Sequence, residues 1–247
     1  MPLRMRFASG QMAAGGKLMK KISLITPVWN KADLTHQYLA GHWYFYQARP
    51  RVEFVVIDNG STDETQGLLR TWQKVMKERL TILSNKKNMG FARACNQGAA
   101  QTEADTLVFV NNDVVVQGDY LRHIEAALTE NPQSLVGEAY LDYDTGWNRF
   151  RTETGREIII PYLAGWCLGL YRQDFELLRN FDEQYSPADY EDLDFCYEAT
   201  QKDYQLIGLD LPLAHLGGQS GGQPGNRREI TRQNRQKFMS KWGLYEP

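Results

Sequence analysis

The chain has 247 residues, 42% of them hydrophobic and 23% charged, with a formal net charge of -2. That is the make-up of a globular protein with one sizeable α/β domain; it excludes a disordered or fibrous chain and gives no charge-based reason to expect a nucleic-acid partner. The three cysteines, Cys95, Cys167 and Cys196, form no CxxC pair, so reduced, buried thiols of a cytoplasmic protein are expected rather than a disulfide framework or a zinc cluster.

No apolar run approaches the roughly 20 residues that span a bilayer, and the basic, Met-rich start lacks the apolar core of a signal peptide. Residues 1–20 are expected to form a disordered extension. Ile22–Val28 reads as a buried strand and Ala32–Tyr46 as a helix with an aromatic face. Val52–Ile57 is a second apolar run, followed by a turn-rich segment in which Thr62 or Asp63 caps a helix to about Lys77. Leu80–Leu83, Phe91–Gln101 and Thr106–Val110 follow as strand, helix and strand. A helix over Gly118–Glu130 and a strand near Leu135–Glu138 precede the polar loop Asp142–Arg156. Strands over Ile158–Tyr162 and Ala164–Tyr171, short helices over Asp174–Asn180 and Glu191–Gln201, and a strand over Tyr204–Gly208 come next. Gly217–Gly225 is a flexible loop by composition. The last stretch, 227–247, is a basic helical tail bearing Arg227, Arg228, Arg232, Arg235, Lys237 and Lys241.

Strands alternating with helices imply a parallel sheet covered on both faces, and ligands of such sheets bind at the carboxyl ends of the strands. The polar signatures lie at those ends: Asn30, Asp58, Asn88 and Asp113 follow the first four strands. Four polar clusters therefore converge on one crevice.

Asn111-Asn112-Asp113 closes an apolar strand, where a carboxylate is poorly solvated unless it meets a cation. A hard divalent ion that bridges two phosphates needs only one or two protein oxygens. His215, in an otherwise apolar segment, is a candidate nitrogen ligand; the structural alternatives are a strand-end turn for Asp113 and a core imidazole for His215. Asp189, Glu191, Asp192 and Asp194 crowd four carboxylates at a helix start, more than capping requires, and close like charges raise one another's pKa toward that of a general base. Gly90 before a helix with Arg93 in its first turn is a fair diphosphate site. Trp29, Trp147 and Trp166 are candidates to stack on sugar or base, although most such rings simply pack. The basic tail offers contact with an anionic membrane surface or an acidic acceptor, against the plainer reading of a solvated helix face. No GxGxxG precedes Asp58, and neither a Walker A lysine nor a G-x-S-x-G elbow is present.

The motifs match a known family in order: Thr26-Pro-Val-Trp-Asn30, Val55 to Asp63, Asn88-Met-Gly-Phe-Ala-Arg-Ala-Cys-Asn96, Val108-Phe-Val-Asn-Asn-Asp113, Ala164 to Arg172, Phe181-Asp-Glu183, Glu191-Asp-Leu-Asp194 and His215. From about Ile22 to Gly218 the chain resembles family 2 glycosyltransferases of the GT-A fold, in particular the rhamnosyltransferase-like branch of bacterial surface polysaccharide synthesis. The resemblance implies an α/β fold with a Rossmann-like, mostly parallel central sheet flanked by helices and a smaller mixed acceptor-side half. It divides residues 21–226 into a nucleotide-sugar half, 21–116, and an acceptor half, 117–226.

The resemblance also implies roles. Pro27, Val28, Trp29 and Asn30 would line the nucleoside pocket, Asp58 would accept from the base imide, and Asn88 and Arg93 would border base, ribose or phosphate. Asn111, Asn112 and Asp113 stand in place of the family's DxD motif, with Asn at its first position a departure. Asp113 and His215 would hold Mn²⁺ or Mg²⁺, and Asn111 would face the ribose. Asp192 would be the catalytic base supported by Glu191 and Asp194, with Trp166 and Cys167 on the acceptor side.

The implied activity is inverting, metal-assisted transfer of a sugar from a UDP- or dTDP-sugar to a hydroxyl of a glycan, lipid-linked or protein acceptor. The expected location is the cytoplasm, with at most peripheral contact at the inner membrane face through the tail. Against longer relatives the chain is short at its C-terminus, so no further docking module is expected. Two other classes compete: a catalytically silent nucleotide-sugar-binding module, and a sugar nucleotidyltransferase, which would carry a Gly-rich, Arg-bearing loop where Pro27-Val-Trp-Asn30 stands.

Overall fold

The computed structural model describes residues 6–7, 20–140, 148–217 and 227–247. Its first half alternates strand and helix: β1 (Arg6–Phe7), β2 (Ile22–Val28), α1 (Ala32–Tyr46), β3 (Val52–Asp58), α2 (Thr65–Met76), β4 (Leu80–Ser84), α3 (Phe91–Ala99) and β5 (Thr106–Val110). The second half comprises β6 (Val114–Val116), α4 (Tyr120–Glu130), β7 (Ser134–Tyr140), β8 (Arg149–Arg151), β9 (Glu157–Ile159), β10 (Tyr162–Tyr171), α5 (Arg172–Leu177), α6 (Glu191–Gln201), β11 (Gln205–Gly208), β12 (Leu213–His215) and α7 (Arg227–Trp242).

Eight strands form one sheet in the order β1-β11-β7-β10-β5-β2-β3-β4, parallel except for β10, which runs against both neighbours. Two antiparallel pairs, β6–β12 and β8–β9, stand apart from it. Of the expected N-terminal extension, Arg6 and Phe7 run parallel to Ile207 and Gly208 at the sheet edge, and residues 1–5 and 8–19 lie outside the described residues.

Alternation along the strands builds a core on each face. Leu24, Phe54, Val56, Val108 and Val110 pack under α1, α2 and α4, while Ile25, Val55, Ile57, Leu107 and Phe109 pack against α3, α5 and α6. The first core also holds His42, whose Nδ1 lies 2.8 Å from Tyr38 O and whose Nε2 lies 2.9 Å from Tyr120 Oη. Burial pushes this imidazole down to about 3, so it is neutral.

A third, smaller core holds the C-terminal helix. Phe238 of α7 packs with Phe150, Ile160, Tyr185, Tyr190 and Leu193. At the helix end, buried Asp194 accepts from Tyr185 Oη (2.9 Å), Lys241 Nζ (2.7 Å) and Trp242 Nε1 (2.7 Å). Removing that carboxylate leaves the Tyr185 hydroxyl and the Trp242 N–H without their acceptor and takes one of the two carboxylates from Lys241, so Asp194→Ala is expected to cost about 3 kcal/mol. Urea unfolding should report the loss, and limited proteolysis should show early cleavage within α7.

Candidate active site

The site lies where the sheet parts. β2 keeps register with β3 through Val28 opposite Asp58, but with β5 only through Ile25 opposite Phe109. Pro27, which has no N–H to donate, sits where the ladder to β5 has ended. The chain order reverses at this point, with β3 and β4 on one side of β2 and β5 on the other, and such a switch point leaves a crevice at the strands' carboxyl ends.

The loops above it are tied by side chains. Asn30, in the left-handed region at φ 55, donates its N–H to Ser61 Oγ (2.8 Å) and accepts from Thr62 N at Oδ1 (2.8 Å). Asp63 accepts from Ala32 N (3.2 Å) and Thr65 N (3.1 Å), joining the starts of α1 and α2. Asp58 is fully buried; its Oδ1 accepts from Ser61 N (2.9 Å), while Oδ2 has no partner. An acceptor left bare at a crevice floor suits an N–H that a ligand brings. Pro27, Trp29 and Asn30 are half-buried beside it, and Val28 is buried.

Asn59, which the sequence reading passed over, organises the third loop. Its Nδ2 donates to Asn88 Oδ1 (2.9 Å) and Gly90 O (3.2 Å), and its Oδ1 accepts from Met89 N (2.9 Å) and Asn85 Nδ2 (3.0 Å). Gly60 follows at φ 83, and a Cβ there would meet Lys87 Cα at 2.5 Å, so only glycine lets the two loops touch.

Asp113 and His215 are brought together by β6 and β12. In that ladder His215 faces Val114, and Leu216 N donates to Asp113 O (2.9 Å). His215 Nε2 lies 3.2 Å from Asp113 Oδ1, yet Oδ1 is buried and has no hydrogen-bond partner. A bare carboxylate oxygen beside an imidazole nitrogen fits a divalent cation that takes one ligand from each. Among the described residues no group of three or more His, Cys, Asp or Glu gathers for a metal, so the remaining ligands would come from phosphate and water. The indole of Trp166 stacks on the His215 imidazole at 4.8 Å and 11°.

A bulge in β10 supplies the opposite wall. Leu163 pairs with Ala139 and Leu168 with Gly137, so 164–167 loop away from β7. In that bulge Trp166 O accepts from Asn111 N (3.0 Å), and Gly165 N donates to Asp192 Oδ2 (2.9 Å). A Cβ on Gly165 would come within 3.3 Å of Asp192 Cβ, which keeps that position small. Adjacent residues thus touch both Asp192 and the His215–Asp113 pair.

Burial pushes Asp192 up to about 6, against the pull of hydrogen bonds from Gly165 N and Leu193 N. Glu191, buried with Oε2 unpartnered, is pushed well above the carboxylate range by burial and then by the Asp192 charge. Asp189 accepts from Arg227 Nη2 (3.0 Å) and Thr231 Oγ1 (2.6 Å).

Several expected site residues stand elsewhere. Asp194 lies two positions past Asp192, on the other side of α6, where it anchors α7. Cys167 is fully buried in the core, and the bulge presses its carbonyl toward Gly137. Asn112 is buried and donates to Thr35 Oγ1 (3.0 Å), which ties the strand end to α1. Arg93 pairs with Glu183 at 3.8 Å, and Phe91 N at the head of α3 is already bound to Pro187 O (2.8 Å). That helix start faces the 181–187 segment. The Trp166 ring lies stacked on the His215 imidazole and stays half-buried. Asn111 is half-buried at the crevice edge. Trp147, with residues 142–147 of the Asp142–Arg156 loop and 218–225 of the Gly217–Gly225 loop, lies outside the described residues.

Comparison with known proteins follows the same outline. The family model described as glycosyl transferase family 2 matches residues 23–192. The putative teichuronic acid biosynthesis glycosyltransferase TuaG of Bacillus subtilis is 28% identical over 92 residues, 37% of this chain and 35% of that protein. Glycosyltransferase AglE of Haloferax volcanii is 27% identical over 116 residues, 47% of this chain and 38% of that one. The matches thus span little more than a third of these relatives. Among solved structures, the mannosyltransferase PcManGT from Pyrobaculum calidifontis, in complex with GDP-Man and Mn2+, superposes with TM-score 0.67 at 18% identity, covering 91% of this chain and 64% of that one. GalNAc-T7 with UDP, GalNAc and Mn2+ gives 0.68 at 13% identity, over 91% and 48%.

The loop geometry generates a test that needs no substrate. Asn59→Ala removes the acceptor of the Met89 N–H and one partner each from Asn85 Nδ2, Asn88 Oδ1 and Gly90 O, and is expected to lower stability by about 2 kcal/mol. Equilibrium urea unfolding against the parent protein measures the change.

Proposed function

The chain belongs to glycosyltransferase family 2 and has the GT-A fold, and from that premise we propose that it moves a sugar from a nucleoside-diphosphate sugar to an acceptor hydroxyl by one displacement with inversion. The observation that carries this reading is the Gly165-Trp166 step. It sets a carboxylate with a pKa near 6 on one side and a bare carboxylate–imidazole pair on the other.

The donor's base lies over β2 and β3, where Asp58 Oδ2 accepts its imide N–H and Trp29 borders the ring. Uracil and thymine both present that N–H, so UDP- and dTDP-sugars are the donor class. Asn111 faces the ribose. Asp113 Oδ1 and His215 Nε2 hold a divalent ion, Mn²⁺ or Mg²⁺, with the diphosphate; Mn²⁺ is named with both solved neighbours. When bound, the ion neutralises charge growing on the departing diphosphate.

Asp192 takes the proton of the attacking hydroxyl, and its elevated pKa makes it a better base than an ordinary carboxylate while leaving it ionised at neutral pH. Glu191, enclosed beside it, is held well above the usual carboxylate range by burial and by the Asp192 charge. The acceptor is a glycan, lipid-linked or protein hydroxyl reaching the crevice past the β10 bulge, in keeping with bacterial surface glycan synthesis and with a rhamnosyltransferase-like branch. Arg227, Arg232, Arg235 and Lys241 pair with Asp189, Glu229, Glu246 and Asp182 with Asp194, and among the described residues no helix is long and apolar enough to cross a membrane.

Screening UDP- and dTDP-sugars for release of nucleoside diphosphate tests the proposal; a protein that binds donor but never turns it over is the silent module instead. Asp192→Asn should lower turnover by at least about 1,000-fold with donor affinity kept within a few-fold. A substituted protein that works normally removes Asp192 from the role of base. Because Asp192 acts only when ionised, kcat/KM should fall about tenfold per pH unit below about 6 and level off above it. Chelation by EDTA should abolish turnover, and Asp113→Ala should abolish its restoration by Mn²⁺; activity unchanged in EDTA removes the cation from the reading.

A further inference from the structure

The C-terminal helix makes a set of contacts that neither its charge nor its packing demands. Asn234, 1% exposed, aims Nδ2 at three carbonyls of one turn: Tyr185 O (2.8 Å), Ala188 O (2.9 Å) and Asp189 O (3.0 Å). On the same helix face, Thr231 Oγ1 donates to Asp189 Oδ2 (2.6 Å) and Arg227 Nη2 to Asp189 Oδ1 (3.0 Å). Arg235 Nη1 donates to Tyr190 Oη (3.2 Å), and the Tyr190 ring meets Phe238 at 5.7 Å.

The turn so held is unusual. Asp189 and Tyr190 lie at φ 74 and φ 80, a left-handed region that side chains larger than glycine rarely occupy. Two such residues in a row persist only where surrounding contacts over-determine them. They stand directly before Glu191 and Asp192, so their backbone sets the direction in which α6 starts and where its first turn carries the Asp192 carboxylate.

We propose that α7 is a clamp that positions Asp192, with Arg227, Thr231 and Asn234 holding the Asp189–Tyr190 turn left-handed so that Asp192 meets the Gly165 N–H. These are positioning residues and touch no reacting atom. The inference rests on Asp192 as base, but clamp and base can fail separately. It also gives α7 a task that its basic composition conceals. The anchor at Asp194 and Lys241 fixes the far end of the helix, so loosening the near end does not release the whole element.

The test compares Asn234→Ala, Thr231→Val and Thr231→Ser with the parent chain. Hydrogen exchange of the amides of Ser186 and of 188–192 should quicken about tenfold in Asn234→Ala, with exchange in β2, β3 and β5 unchanged. Turnover, read as nucleoside diphosphate released from the UDP- and dTDP-sugar panel, should fall by up to about 100-fold. Donor KM and Mn²⁺-dependent UDP affinity should stay the same. Thr231→Val keeps the shape and loses the hydroxyl, so it should show a smaller loss of the same kind, and Thr231→Ser should restore turnover. In an Asp192→Asn background Asn234→Ala should add no further loss, because both act on one group. Unchanged exchange at 186–192 overturns the clamp, and so does a loss that multiplies fully in the Asp192→Asn background. A fully active Asp192→Asn protein overturns the base assignment alone and leaves the exchange result to decide whether α7 holds the turn.

Discussion

One interruption in a strand ladder underlies the whole crevice. β10 pairs with β5 along Cys167–Tyr171, but its pairing with β7 breaks between Leu163 and Leu168. A regular strand would spend its backbone groups on its neighbours. The interruption frees the Gly165 N–H for a carboxylate on α6 and the Trp166 carbonyl for the end of β5. It also turns the indole outward onto His215. Elements separated by some eighty residues of chain, Asn111 and Asp192, thereby meet across one dipeptide.

The same economy governs the acidic run at the start of α6. Three carboxylates within four residues repel one another, and helical geometry separates them. Asp194 turns to a lysine, a tyrosine and a tryptophan and serves the C-terminal helix. Asp192 turns to the crevice with only backbone donors, and Glu191 is enclosed without a donor at Oε2. Their environments differ although their sequence neighbourhood is shared.

Much of the architecture was legible in the chain. Apolar runs ending in Pro27, Asp58 and Asn111 marked β2, β3 and β5, and the periodicity of 191–201 matched α6. Local chemistry writes such signals directly. What stayed hidden depends on non-local pairing. β6 and β12 are three residues each, too short for a period, yet they bring His215 beside Asp113. Cys167 looked like part of a crevice motif, but the bulge sends Trp166 outward and Cys167 into the core. Nothing in the local run shows that Asp194 serves the C-terminal helix; its partners Lys241 and Trp242 come from the far end of the chain. Asn59 gives no signal of its own in the sequence, because its four hydrogen bonds exist only with both loops in place.

The neutral imidazole of His42 gives the protein opposing responses to acid. An unfolded chain takes up a proton at this position near pH 6.5, whereas the folded chain refuses it down to about 3. Stability contributed there is therefore intact above pH 6.5 and declines as pH falls toward 3, by about 1.4 kcal/mol per unit. Asp192 works in the other direction: its folded carboxyl holds a proton up to about pH 6, so its desolvation penalises the fold only as pH rises through 4 to 6. Between pH 4 and 6, acidification relieves the crevice while straining the aromatic interior under α1, so tolerance to mild acid is shared between two places on opposite faces of the sheet.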